Sequence, residues 1–122
     1  MAWTLDDNKP IYTQLVEILQ MQVVSGLYPA GSKLPSVREL AAEAGVNPNT
    51  MQKAFAELEQ GGLIITQRTS GRIVTEDKDL IKQTQSQLAK EYIVNFFNMM
   101  KELGYASKEI ITLVEQISRE EI

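Results

Sequence analysis

Asn47, Asn49, Thr50, Gln52 and Lys53 fall close together, at what reads as the start of a helix. Amides and hydroxyls both donate and accept hydrogen bonds, and an ammonium group can hold a phosphate. Such a set can read base edges in the major groove of double-stranded DNA or grip its backbone. Other chemistries are poorly provided for. The chain has no His and no Cys. That removes the usual general base, the Ser-His and Cys-His nucleophile pairs, disulfides, and the imidazole and thiolate metal ligands. No GxxxxGK[ST], GxGxxG or DxDxDG run occurs. No enzyme is expected, and neither a cofactor nor a metal.

The stretch that must position these residues runs from 34 to 62, LPSVRELAAEAGVNPNTMQKAFAELEQGG. Ser36 followed by Glu39 is a capping box, in which each side chain satisfies the other's backbone N–H. Pro35 discourages an earlier start. A short helix then runs over 37–44, with Val37, Leu40 and Ala41 on one face, and Gly45 suits a left-handed turn. Asn47 is a good N-cap, and Pro48 fits the first helical position, where a missing N–H costs nothing. Met51, Ala54, Phe55 and Leu58 make the apolar stripe of a second helix, which Gly61-Gly62 stops. Two helices joined by a short Gly-containing turn form a helix-turn-helix. Taken alone, the stretch also fits an ordinary helical hairpin.

Before it, residues 1–9 read as an extended arm, with Trp3 packed on a neighbouring helix or partner. Pro10 opens a helix at its first position, with Ile11, Leu15, Ile18, Leu19 and Val23 facing a core. A Gly- and Pro-containing loop follows, anchored by Leu34 and with a short strand at 32–34. After it the period changes. LIITQ, RTSG and RIVT read as strand, turn and strand, a hairpin with Arg68, Gly71 and Arg72 at its tip. Helix, helix-turn-helix and hairpin make a winged helix, whose wing lies against the backbone or enters the minor groove, where Arg is favoured.

The net charge is −4 over 122 residues, which suits nonspecific DNA binding poorly. No acid lies between Glu43 and Glu57 or between Glu59 and Glu76, however, and local potential governs docking. No apolar run approaches the roughly 20 residues of a membrane span. The N-terminal MAWTLDDNKP has no signal-peptide core, so a cytoplasmic location is expected.

Residues 10–74 together resemble the N-terminal winged-helix domain of the GntR family of bacterial transcription regulators. The resemblance rests on the G-x-x-L-P-S-x-R-x-L-A run at 31–41, the G-V-N-x-x-T run at 45–50 and the L-x-x-x-G-L-I pattern ending at Ile64. It implies that Arg38 reaches DNA, that Asn47, Asn49, Thr50 and Gln52 read bases and phosphates from the recognition helix, and that Arg68 and Gly71 serve the wing; Ser36, Lys53 and Arg72 are further DNA-binding candidates beside them. Two positions depart from the family pattern. Thr69 stands where the wing often has its first Gly, and Pro48 where a larger polar residue is common.

The remainder, a polar joint at 76–79 followed by a helix over 80–103 and a last helix capped by Ser107, is too short for the family's larger effector domains. Leu88, Tyr92, Phe96 and Met100 recur every four residues, with Phe97 beside them. Two helices cannot bury so wide an apolar surface alone, so a homodimer is expected. Leu103, Gly104, Ser107, Glu109, Ile110 and Ile111 resemble the short tail of the YtrA-like subfamily. That resemblance implies a homodimeric repressor of a palindromic operator, often controlling transporter genes, with a small-molecule effector at the dimer interface. A tail that only dimerises fits the same residues. The expected fold is mainly α with a small β-hairpin: a winged helix-turn-helix domain at 1–76 and a two-helix dimerisation domain at 77–122. The alternative from another class is a winged-helix protein-interaction module. It would need aromatic or aliphatic anchors on the second helix of the pair, where polar residues stand.

Overall fold

The computed structural model describes residues 3–69 and 71–121, apart from the side chain of Glu121. Met1 and Ala2 of the expected arm, Ser70 of the hairpin tip and Ile122 lie outside the described residues. The order is α1 (Ile11–Val24), α2 (Val37–Ala44), α3 (Pro48–Gln60), β1 (Ile64–Gln67), β2 (Gly71–Val74), α4 (Lys78–Glu102) and α5 (Ser107–Glu121). The chain divides into two compact units, Met1–Gln85 and Ser86–Ile122, with the division inside α4.

The first unit is built around α3, which packs against α1, α2 and β1. Leu15, Leu19 and Val23 of α1, Leu40 and Ala41 of α2, and Met51, Ala54, Phe55 and Leu58 of α3 form one buried cluster with Leu34, Leu63, Ile64 and Val74. Every apolar position expected of α3 is in it, because those positions recur at helical spacing and face the same side. Trp3 and Leu5 pack against the cluster from the N-terminal side. The arm is not extended throughout. It turns at Asp6, whose backbone N–H donates to Gln14 Oε1 at 2.7 Å and whose carbonyl accepts from Gln14 Nε2 at 2.7 Å. Pro10 is the N-cap of α1, one residue outside the expected first helical position, because its ψ of 126° is extended.

The capping box of α2 forms as its residue types demand. Ser36 Oγ accepts from the Glu39 N–H at 3.1 Å, and Glu39 Oε1 accepts from the Ser36 N–H at 3.3 Å. At the other end the Gly45 N–H donates to the Ala42 carbonyl and the Val46 N–H to the Ala41 carbonyl. This six-residue closure needs a left-handed residue, and Gly45 has φ 71°. The same pair of bonds closes α3 at Gly62-Leu63 and α4 at Gly104-Tyr105.

β1 and β2 pair antiparallel in the register Ile64↔Val74, Ile65↔Ile73, Thr66↔Arg72 and Gln67↔Gly71. The expected strand at 32–34 is a single bridge, Lys33↔Ile73, flanked by bonds from the Leu34 N–H to the Arg72 carbonyl and from the Val74 N–H to the Ser32 carbonyl, each 2.9 Å. β2 is thus held on both sides.

α4 starts before the expected Leu80, because Asp77 Oδ1 accepts from the Leu80 N–H at 3.1 Å and caps it. Ile81 packs against the first unit's core. In the second unit Ser107 is the first residue of α5 and not its cap. Ala106 occupies the cap position, its N–H donating to Glu109 Oε1 at 2.8 Å. Leu88 and Ile110 are buried, whereas Tyr92, Ile93, Val94, Phe96, Met99 and Leu103 of this unit are exposed. No helix among the described residues is long and apolar enough to cross a membrane.

Candidate nucleic-acid interface

α3 has two faces. Met51, Ala54, Phe55 and Leu58 are buried, while Asn49, Gln52, Lys53 and Ala56, spaced three and four apart, are exposed on the opposite side. Asn47 caps the helix, with its Oδ1 accepting from the Asn49 N–H at 2.8 Å. The cap uses the amide oxygen, so the Asn47 NH₂ keeps both its donors for another partner. Thr50 is half-buried beside this face. Lys53 Nζ stands 3.9 Å from the centre of the Tyr12 ring, a cation–π contact that fixes the ammonium against the start of α1.

α2 packs against α3 and presents Arg38 one residue into its first turn. The Arg38 side chain is exposed and has no hydrogen bond or ion pair among the described residues. Ser36, just before it, uses Oγ as an acceptor in the cap and keeps its hydroxyl hydrogen to donate.

The wing separates its two Arg residues. Arg68 is exposed at the tip and unpaired among the described residues. Gly71 opens β2 with φ 75°, and a Cβ there would meet nothing, so conformation and not space requires the glycine. Arg72 is held. Its Nε donates to Glu59 Oε1 at 2.6 Å, its Nη2 donates to Gln52 Oε1 at 3.4 Å, and its guanidinium carbon lies 5.2 Å above the Phe55 ring. The other oxygen of Glu59 accepts from Thr66 Oγ1 at 2.8 Å. One carboxylate near the end of α3 therefore clasps a cross-strand pair, Thr66 and Arg72. Partial burial by itself pushes the Glu59 carboxyl up. The bonds from Arg72 and Thr66 and the Arg72 charge together outweigh it, so the group titrates below the ordinary carboxylate range.

Two features differ from what the sequence leads one to expect. Arg72 is bound into the domain, unlike Arg38 and Arg68. Glu59, outside the acid-free segments, still reaches the wing and neutralises one of its two cations. Sequence reasoning missed Glu59, Thr66 and Tyr12. Helical periodicity carries no signal for them, because each acts on a residue of a different element.

This winged helix-turn-helix, with its exposed polar face, has counterparts among known proteins. Residues 11–74 match the family described as bacterial regulatory proteins, gntR family. The chain belongs to the GntR family. As a member it is a DNA-binding transcription regulator. It is 36% identical over 104 residues to the HTH-type transcriptional regulator YhcF of Bacillus subtilis, covering 85% of this chain and 86% of that one. It is also 36% identical over 111 residues to the HTH-type transcriptional repressor YtrA of the same organism, covering 90% and 83%. A solved GntR family transcriptional regulator from Listeria monocytogenes superposes with a TM-score of 0.83 at 46% identity, covering 92% of this chain and 98% of that one. These matches reach past the winged helix into α4 and α5, so the similarity of this GntR regulator to the YtrA type includes the short tail.

Proposed function

We propose that the protein is a homodimeric repressor that binds a palindromic operator, with one α3 in the major groove of each half-site. The observation that carries this reading is the exposed face of α3. Asn49, Gln52 and Lys53 share it with no acid among them, while the opposite face is wholly buried. On this reading Arg38, Asn47, Asn49, Thr50 and Gln52 meet base edges or phosphates. Ser36, Lys53 and Arg68 hold the backbone, and Gly71 lets the wing lie close to it. Arg72 positions the wing and does not touch DNA.

The second copy is proposed from the open apolar residues Tyr92 and Phe96, with Phe97 and Met100 half-buried beside them. Leu88, at the head of the same four-residue spacing, is already buried. A two-fold dimer matches a two-fold operator. Regulation is then a shift between dimer geometries that fit or miss the half-site spacing, driven by a small-molecule effector that prefers one of them. Similarity to a protein named as a repressor supports repression, and the YtrA-like tail supports transporter genes as targets.

The test is selection from a random duplex pool at about 150 mM salt, where nonspecific phosphate binding is already weak. Wild-type protein should enrich two related, inverted half-sites. Arg38→Ala should weaken binding to that sequence by about 1–3 kcal/mol. If nothing is enriched, the DNA-reading proposal fails, and binding to a protein partner becomes the reading to test.

A further inference from the structure

Gln52 stands where the wing meets α3, and its amide oxygen faces Arg72. A guanidinium has N–H donors only and no lone pair to offer. Of the two atoms at the end of Gln52, only the oxygen can therefore face Arg72, and Gln52 Oε1 accepts from Arg72 Nη2 at 3.4 Å. Arg72 cannot follow Gln52 outward. Its Nε is fixed to Glu59 at 2.6 Å, and its guanidinium lies over the Phe55 ring. Glu59 is held in turn by Thr66 across the hairpin. A primary amide is planar, so drawing the oxygen toward the wing carries the NH₂ away from it, toward the exposed side of α3.

We propose that Arg72 makes Gln52 a donor-only reader, and that Gln52 consequently selects guanine in each half-site. The inference rests on the reading that α3 enters the major groove. An unconstrained Gln pairs with adenine, accepting from N6 while donating to N7. With its oxygen turned back, Gln52 offers two N–H groups side by side. Guanine presents two adjacent acceptors, N7 and O6, and satisfies both. Adenine sets its N6 donor against one of them, and cytosine presents a donor alone. Arg72 thus determines specificity without touching a base: it is a positioning residue acting through Gln52.

The experiment repeats the duplex selection with wild-type protein, Gln52→Ala, Gln52→Glu and Arg72→Met. The wild-type motif should contain one G·C pair per half-site whose preference disappears in Gln52→Ala. Arg72→Met removes the donors but keeps an apolar stem over Phe55. It should shift that same position toward A·T, reversing a preference on the order of tenfold. Gln52→Glu can only accept, so it should exchange guanine for cytosine there and identify the base that position 52 reads; the wild-type choice of G·C over A·T at that position decides the inference even if Arg72→Met folds poorly. An enriched palindrome whose Gln52-dependent position is A·T, or in which no position depends on Gln52, overturns this inference and leaves the DNA-reading proposal standing. Failure of the wild type to enrich any sequence overturns both.

Discussion

Phe55 and Phe96 both sit on helices among other apolar residues, and they meet opposite environments. Phe55 is 0% exposed, at the centre of a cluster drawn from three helices and the hairpin, while Phe96 is 40% exposed on α4. The contrast extends to their neighbours. Met51 and Leu58 are buried around Phe55, whereas Met99 is 66% and Leu103 72% exposed. The first unit uses most of its apolar residues on its own fold, with Met21, Leu27 and Ile65 as exposed exceptions. The second keeps Leu88 and Ile110 inside and leaves most of the rest open, the pattern on which the proposed dimer rests.

Substitutions at matched positions separate the two roles. Phe55→Ala should have the largest effect, removing about 3–5 kcal/mol from the first unit and its cooperative urea transition with it. A loss under about 1 kcal/mol would mean that the cluster is less tightly packed than its burial indicates. Phe96→Asp combined with Phe97→Asp should leave that transition in place while converting dimer to monomer in sedimentation velocity and weakening operator binding. Persistence of a dimer would assign the interface to another surface. Ser36→Ala should cost roughly 1 kcal/mol of stability through loss of one half of the capping box, read as a lower urea midpoint.

The smallest effect should come from Glu59→Gln, and it should depend on pH. Because the folded-state pKa of Glu59 is lowered, its ionised form stabilises the domain above the unfolded value of about 4.3, and that contribution is lost as pH falls through the folded value. Urea midpoints of wild type and variant should differ at about pH 7 and converge as pH falls through the lowered folded-state value. A gap that stays constant with pH would show that the clasp acts by shape and not by charge.

Local chemistry made much of the first unit legible. Ser36-x-x-Glu39, Asn47-Pro48 and Gly45 each have only one good use near a helix end, and each is used so. The α3 stripe and the two strands followed from periodicity. What periodicity could not show was the fate of Arg72, because its partner Glu59 is brought to it only when α3 packs on β1. The same limit applies to Lys53, whose ammonium rests on Tyr12 from α1. Helix starts were misplaced by a residue at Pro10 and Ser107, since neither Pro10 nor Ala106 signals the boundary, and by two at Lys78, where Asp77 reads as part of a polar joint and acts as a cap. In the second unit, apolar spacing marked both Leu88 and Phe96, but spacing alone does not distinguish the buried one from the open one.

The wing carries a further consequence. Its strand register is determined at the base, by Ile64↔Val74, the bonds from residues 32–34 and the Glu59 clasp on Thr66 and Arg72. A one-residue slip would turn Arg72 away from Glu59 and Val74 away from the core, so the base resists it. Arg68 and Thr69 bear none of that duty among the described residues. Lengthening a loop already closed at its base adds little entropic cost, about 0.6 kcal/mol per doubling. The tip is therefore the place where the chain can gain or lose residues and change its reach while α3 keeps its setting. Variation among descendants of this sequence should accumulate there first, and grafting a longer or more basic tip is the simplest route to a regulator with a new footprint.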